Sequence, residues 1–190
     1  MNDTVIQIHE TRQEIRNNGK DMGNPTQYGI PQLLIDFSDR LADELGDVKT
    51  ICFSHSTKEV KFDKLDSKGR KGRITYKETS NKPAPTSYLS TDEYYITLYE
   101  QGGIIELFII DVFDSGKGLG TKIMNHMLDV ADEMNVKIKL IPIAYRASGT
   151  KDFERDCARL KRFYMDFGFV PTPISPYLTY TPVKDLFSKK

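Results

Sequence analysis

Hydrophobic residues recur along this chain with two different spacings, and the spacings divide it into predicted helices and strands. Apolar positions three and four residues apart predict helices over 31–46, 119–134 and 152–167. The first begins at Pro31 and ends at Gly46, residue types that are typical of those two positions. Alternating or nearly continuous apolar runs predict strands over 48–54, within 92–113 and over 136–143, a hairpin within 58–79, and an extended, proline-interrupted segment at 167–182.

The clearest pair of strands lies within residues 92–113, where Gly102 and Gly103 separate two apolar segments. Two adjacent glycines supply the positive φ angles of a tight hairpin turn. The second strand is apolar nearly throughout, so we expect it in the middle of a sheet, covered on both faces. The stretch SNKPAPTS at 80–87 is rich in turn-forming residues and is predicted as a connection.

The order of these elements predicts the fold class and the domain organisation. From the hairpin onward the order is β-β-loop-α-β-α-β, which is typical of one mixed α/β domain. Residues 1–30 are polar and contain many helix- and strand-breaking residues, so they are predicted as a partly irregular N-terminal lead-in. The single domain is then expected to occupy residues 31–190.

The charge balance, the cysteines and the hydrophobicity of the chain argue against several classes of protein. The 27 Lys and Arg residues balance the 27 Asp and Glu residues, so global charge favours neither a nucleic acid nor an acidic membrane as partner. Cys52 and Cys157 are far apart, which excludes a disulfide framework and a CxxC metal site, and no metal is expected. No signal peptide and no apolar run near the ~20 residues of a membrane helix is seen. We expect a cytoplasmic protein without a membrane partner.

Three glycines at alternate positions, Gly116, Gly118 and Gly120, follow the buried strand and precede a helix. Free N–H groups at a helix start favour an anion, and glycine permits a ligand to approach the backbone closely, so the loop is suited to a phosphate. The spacing fits neither the Walker A pattern nor the dinucleotide pattern G-x-G-x-x-G. A plain turn between strand and helix stays an alternative.

Two motifs together resemble the GNAT family of N-acetyltransferases. The cofactor motif of that family, R/Q-x-x-G-x-G/A, matches SGKGLG at 115–120 in both glycine positions. Its second signature, an aromatic residue followed by Tyr-x-x-x-Gly-Phe, matches FYMDFGF at 163–169. The order of the elements agrees as well, and the resemblance covers roughly residues 94–180. It implies a GNAT-like fold, a mixed and mostly antiparallel central sheet flanked by helices.

The resemblance also implies a function and a set of site residues. The expected activity is transfer of an acetyl group from acetyl-CoA to a primary amine of a small molecule or protein, by direct attack. Tyr164 would assist the departing CoA thiolate, and Glu106 or water would take the proton of the amine. Glu106 has a second interpretation, as a carboxylate that faces solvent or is paired with a cation. The residues expected to bind the cofactor are Ile110, Val112, Gly116, Lys117, Gly118, Leu119, Gly120 and Thr121.

Two positions depart from the family pattern. Ser115 occupies the Arg or Gln position of the cofactor motif, and Cys157 occupies a position where the family commonly has asparagine. Ser115, together with an N-terminal half that does not match the usual order of the family, keeps open an alternative, a non-catalytic GNAT-like binding or regulatory module that could use the basic hairpin at 58–73. The positive charge of that hairpin has two interpretations. It is either a surface that binds a nucleic acid, which has less support as a partner, or only a solvated hairpin tip. The oligomeric state is left open, a homodimer included.

Overall fold

The computed structural model describes residues 10–17, 29–56, 59–65, 71–77, 84–113, 116–144 and 150–183. Within them lie the helices α1 (Gln32–Leu45), α2 (Leu119–Met134) and α3 (Phe153–Asp166). All three agree closely with the predicted helices. The strands are β1 (Glu10–Asn17), β2 (Thr50–Ser56), β3 (Glu59–Leu65), β4 (Lys71–Lys77), β5 (Ala84–Ser90), β6 (Tyr94–Gln101), β7 (Ile104–Val112), β8 (Lys137–Leu140), β9 (Val170–Pro171) and β10 (Leu178–Tyr180).

Eight of these strands form one sheet in the order β1-β2-β5-β6-β7-β8-β10-β9. Every neighbouring pair in it is antiparallel except β7 and β8, which run parallel. Strands β3 and β4 form a separate antiparallel pair. The predicted fold class is confirmed, because the sheet is mixed, mostly antiparallel and flanked by helices, which is compatible with a GNAT-like fold.

The main core lies between the sheet and the pair α1 and α2, which pack against each other and against β5, β6 and β7. The helical spacing places large apolar side chains of α1 on one buried face, with Leu34, Phe37 and Leu41 fully enclosed. The corresponding face of α2 buries Ile123 and Met127. This packing explains why the helix predictions hold, since burial of one apolar stripe is the main source of helix stability.

The prediction of a connection over 80–87 is wrong for its second half, because β5 already begins at Ala84. Turn-forming residues suggested a loop, yet Pro85 is only the second residue of the strand. The ladder of β5 with β6 starts one residue later, at Thr86 opposite Tyr99. A proline near the start of a strand removes no hydrogen bond that the ladder with β6 needs.

The N-terminal half contributes one strand to the main sheet and forms a separate hairpin. Strand β1 lies within the predicted lead-in and pairs antiparallel with β2, so this part belongs to the main sheet. The predicted basic hairpin is confirmed as the pair β3 and β4. Its turn at 66–70 lies outside the described residues, and the partner that its charge suggested stays a prediction. Of the helices in the described ranges, none is long and apolar enough to cross a bilayer.

Two buried tyrosines predict how stability depends on alkaline pH. The hydroxyl of Tyr94 donates to Asp47 Oδ1 at 2.6 Å, and that of Tyr180 donates to Asp132 Oδ1 at 2.9 Å. Burial first, and then the neighbouring carboxylate, raise the pKa of Tyr180 to about 12 and that of Tyr94 well above 10. The folded state therefore keeps protons that the unfolded chain loses above pH 10.

Below pH 10 these tyrosines should not make the free energy of unfolding depend on pH. As the pH rises from 10 toward 12, we expect the free energy of unfolding to fall. Denaturant unfolding followed by circular dichroism at several pH values measures the slope. Tyr180→Phe is the control, because it removes the contribution of Tyr180 and should make that slope less steep. An equal slope in wild type and variant would contradict the assignment for Tyr180.

Candidate functional site

The parallel ladder between β7 and β8 is short and ends inside the sheet. It runs from Ile104 opposite Lys137 to Leu107 opposite Leu140, and β7 then continues to Val112. The predicted strand at 136–143 is therefore wrong over its last three residues. Pro142 explains the early end, since proline has no N–H group to donate to a neighbouring strand.

Strand β7 contributes to the separation through a bulge at Phe108. In its ladder with β6, Leu107 lies opposite Leu98 and Ile109 lies opposite Thr97, so Phe108 is an additional residue. A bulge bends a strand and increases its local twist. The bulge follows directly after the last rung with β8, and beyond that rung β7 forms no further ladder with β8. We call the region where this ladder is missing, between residues 108–112 of β7 and the chain after Leu140, the wedge.

Different side chains line the two faces of the wedge. On one face, Phe108 and Ile109 form a small apolar cluster with Tyr99, against which Ile143 and Phe153 pack. On the other face, the predicted contact residues Ile110 and Val112 lie half-buried against the main core. Chain segments that follow β8 and begin α3 therefore border the part of β7 beyond Leu107.

The glycine loop follows β7 directly and leads into α2. Gly116 and Gly118 have φ angles of 98° and 76°, in the left-handed region that favours glycine, and Gly118 caps the helix. The helix has no side-chain cap and no acidic residue in its first turn. Its first helical hydrogen bond is donated by the N–H of Lys122 to the Gly118 carbonyl at 3.0 Å.

The N–H groups of Leu119, Gly120 and Thr121 consequently have no partner in the described part of the chain. Gly120 is helical, and a side chain added there would meet no atom within 4 Å. Unpartnered N–H groups at a helix start are suited to an anion. The structure thus places the predicted cofactor residues 116–121 together, at the end of the strand that carries Ile110 and Val112.

A pocket of about 300 Å³ adjoins this loop. Lys117 and Lys122 lie on its helix side, Asp92 and Glu93 lie on the side of the turn between β5 and β6, and the half-exposed Phe113 ring borders it. The two ammonium groups add positive charge beside the helix start. Lys117 lines this pocket as part of the loop, whereas Ser115 lies outside the described residues.

Helix α3 carries Tyr164, which is buried at the edge of the main core. The Sγ atom of Cys157 accepts a hydrogen bond from the N–H of Ala144 at 3.3 Å, which fixes the first half of α3 against the segment that follows β8. Tyr164 lies two helical turns later and therefore on the same side of α3 as Cys157. Its ring packs edge-on against Phe163 and Phe169, with centroids 5.3 and 5.8 Å away.

The side chain of Tyr164 is buried and its hydroxyl is neutral. The residue is only 8% exposed, and burial raises its pKa well above 10. Among the described residues, no hydrogen-bond partner is found for its hydroxyl. A hydroxyl in this state can donate a hydrogen bond to a ligand atom without first breaking another.

Glu106, the predicted base, lies in a different environment. It is 2% exposed, one residue before the end of the parallel ladder. The Nζ atom of Lys139 lies 3.2 Å from Glu106 Oε2, and the hydroxyl of Tyr177 donates to Oε1 at 3.4 Å. The carboxylate is therefore paired with a cation, which is the second interpretation that the sequence left open. Whether it also acts as a base stays a prediction.

Lys139 and Tyr177 were not among the site residues predicted from the sequence. Lys139 follows the alternating pattern of an ordinary strand, and Tyr177 lies in the connection between β9 and β10. Only the parallel register reveals the pair, since it sets Lys139 opposite Glu106. In the part of the chain that the structure describes, no group of three or more His, Cys, Asp or Glu side chains is placed to hold a metal ion.

Comparison with known proteins yields little. No family model matches the chain, and no curated protein matches it. A solved structure similar to part of the chain is the crystal structure of anti-CRISPR protein AcrVA5, at 20% sequence identity. The match covers 50% of this chain and 96% of that chain, with a TM-score of 0.39. A TM-score this low carries no argument about fold or function.

Proposed function

We propose that this protein is an N-acetyltransferase of the GNAT type that uses acetyl-CoA as cosubstrate. One observation carries the proposal: β7 separates from β8 after Leu107 and then leads directly into a glycine loop at an uncapped helix start. The same strand therefore offers an extended backbone and, at its end, a site for an anion.

CoA has the chemistry that such a strand and loop accommodate. Its pantetheine arm is extended and carries two amides, which can pair with backbone groups of β7 at Ile110 and Val112. Its pyrophosphate would receive hydrogen bonds from the N–H groups of Leu119, Gly120 and Thr121, with Lys117 adding positive charge. Residues 108–112 extend over roughly 13 Å at ~3.3 Å per residue, which allows several amide contacts.

The reaction that we propose is a direct acyl transfer. The amine nitrogen of the acceptor attacks the thioester carbonyl carbon, so that a C–N bond forms as the C–S bond breaks. The electron pair of the broken bond leaves with sulfur as the CoA thiolate. The nitrogen loses one proton to a base, and the thiolate ends as the thiol after taking up a proton.

In this scheme Tyr164 stabilises the departing thiolate by hydrogen bonding. Burial raises its pKa well above 10, whereas a free thiol has a pKa of about 8.5. Complete transfer of the phenolic proton to sulfur is therefore uphill, and the hydroxyl acts mainly as a fixed donor. Such donors lower a barrier because they need no reorganisation as charge develops.

For the base we propose a water molecule rather than the Glu106 carboxylate. A base must come within hydrogen-bonding reach of the proton that it removes. Glu106 is 2% exposed and held by Lys139, so a direct approach of an amine to it is blocked in this structure. Cys52 and Cys157 are not in a disulfide, which, together with the proposed cosubstrate, fits a cytoplasmic location.

The test is release of CoA thiol in the presence of acetyl-CoA and a panel of amines, namely polyamines, amino acids, amino sugars and lysine peptides. We expect one amine class to support thiol release above the rate without acceptor, with one acetylated product per thiol by mass spectrometry. Acetyl-CoA binding without transfer to any class would argue against an enzyme and for the binding-module alternative.

A further inference from the structure

A buried polar cluster lies one rung before the wedge opens. Glu106 of β7 and Lys139 of β8 are opposite each other in the parallel ladder, and the next rung, Leu107 opposite Leu140, is the last. Besides its contact with Glu106, the Nζ atom of Lys139 donates to Gln101 Oε1 at 2.9 Å. The cluster therefore spans the two strands whose separation forms the wedge.

Tyr177 connects a third part of the chain to this pair. Its hydroxyl donates to Glu106 Oε1, and the Lys139 ammonium lies 4.9 Å from the centroid of its ring. The carbonyl of Tyr177 accepts hydrogen bonds from the N–H and the hydroxyl of Thr172, at 3.1 and 2.6 Å. These contacts hold the connection between β9 and β10 against the Glu106–Lys139 pair.

Burial makes the members of this cluster depend on one another. Side-chain exposure is 2% for Glu106 and 17% for Lys139. A charge enclosed to this degree is tolerated only while its partner is present, because desolvation is otherwise uncompensated. Loss of either charge should admit water at the last rungs of the ladder, whereas loss of both should not.

We infer that Glu106, Lys139 and Tyr177 form a clasp that fixes the point at which β7 and β8 separate, and that Lys139 is a positioning residue for the ligand arm bound in the wedge. This inference rests on the proposed function. A ligand arm that pairs with β7 beyond Leu107 depends on where the strands diverge. A phosphate group at the glycine loop does not, because the loop begins at Gly116, nine residues beyond Leu107, the last residue of β7 that pairs with β8.

The experiment compares two ligands on single and double variants. Acetyl-CoA uses both the wedge and the loop, whereas adenosine 3′,5′-bisphosphate lacks the pantetheine arm. We expect Glu106→Gln and Lys139→Met each to weaken acetyl-CoA binding about tenfold in calorimetry. Binding of the bisphosphate should stay within about twofold, and the double variant should regain most of the acetyl-CoA affinity. Lys137→Met, an exposed lysine two residues earlier, is the matched control.

Amide hydrogen exchange of residues 137–140 gives a readout that needs no ligand, with faster exchange expected in each single variant and recovery in the double variant. If Lys139→Met does not fold, Tyr177→Phe removes one hydrogen bond of the clasp and should weaken acetyl-CoA binding about threefold.

Two results would overturn the inference. One is a Glu106→Gln variant that binds acetyl-CoA and exchanges amides like the wild type but does not turn over, which would make Glu106 the base. The other is a double variant no better than the weaker single variant. Wild-type protein that does not bind acetyl-CoA would overturn the proposed function and the positioning role together, and the exchange data would then decide whether the clasp exists.

Discussion

Gly120→Glu is expected to abolish acetyl-CoA binding while leaving the protein at least as stable as the wild type. Gly120 is helical, and a side chain there meets no atom within 4 Å, so glutamate fits without strain. Replacing a helical glycine and adding an acid to the first turn should together raise the free energy of unfolding by about 1 kcal/mol. The new carboxylate, however, occupies the region proposed for the pyrophosphate.

Repulsion between like charges at a contact costs several kcal/mol, so we expect acetyl-CoA affinity to fall about a hundredfold or more. Gly118→Glu would be a poorer test, because Gly118 has a φ angle of 76° and any side chain there strains the backbone. Asn125→Glu is the matched control, since it adds the same charge at an exposed position of α2. Wild-type affinity in Gly120→Glu would place the phosphate elsewhere.

Tyr164→Phe is expected to lower kcat about a hundredfold or more, with little change in the KM for acetyl-CoA or in thermal stability. The variant keeps the ring contacts with Phe163 and Phe169 and removes only the hydroxyl. That hydroxyl has no partner among the described residues, so its loss breaks no hydrogen bond with them. The measurement is steady-state thiol release with the amine found in the acceptor screen.

Tyr180→Phe is the control for this variant, because it removes another hydroxyl from the same row of aromatic rings, one that donates to Asp132 on α2. It should retain kcat. In wild-type protein the raised pKa of Tyr164 keeps its proton in place, so tyrosine ionisation should cause no loss of kcat between pH 7 and 10. Unchanged kcat in Tyr164→Phe would exclude the hydroxyl from the reaction.

Local patterns predicted the helices and the central hairpin well. The stripes of α1 and α2 bury the residues that helical spacing indicates, and Gly102 and Gly103 have the positive φ angles, 63° and 78°, that the hairpin turn requires. These features are decided within a few residues of chain. Strand β5 escaped prediction because proline and serine near its start suggest a loop, whereas pairing with β2 and β6 makes it a strand.

The wedge could not be predicted, because it results from contacts between distant segments. Pro142 is visible in the sequence, but the bulge at Phe108 exists only in the register of β7 against β6. The environment of Glu106 is the clearest case. Its position in an apolar strand suggested a carboxylate ready to act as a base, and only the parallel register shows Lys139 beside it.

Calorimetric titration of the purified wild-type protein with acetyl-CoA, beside a separate titration with ATP, tests the central claim most directly. We predict micromolar binding of acetyl-CoA and much weaker binding of ATP, since ATP has no pantetheine arm to pair with β7. Binding of ATP with equal or greater affinity, or no binding of acetyl-CoA at high concentration, would contradict a CoA site formed by the wedge and the glycine loop.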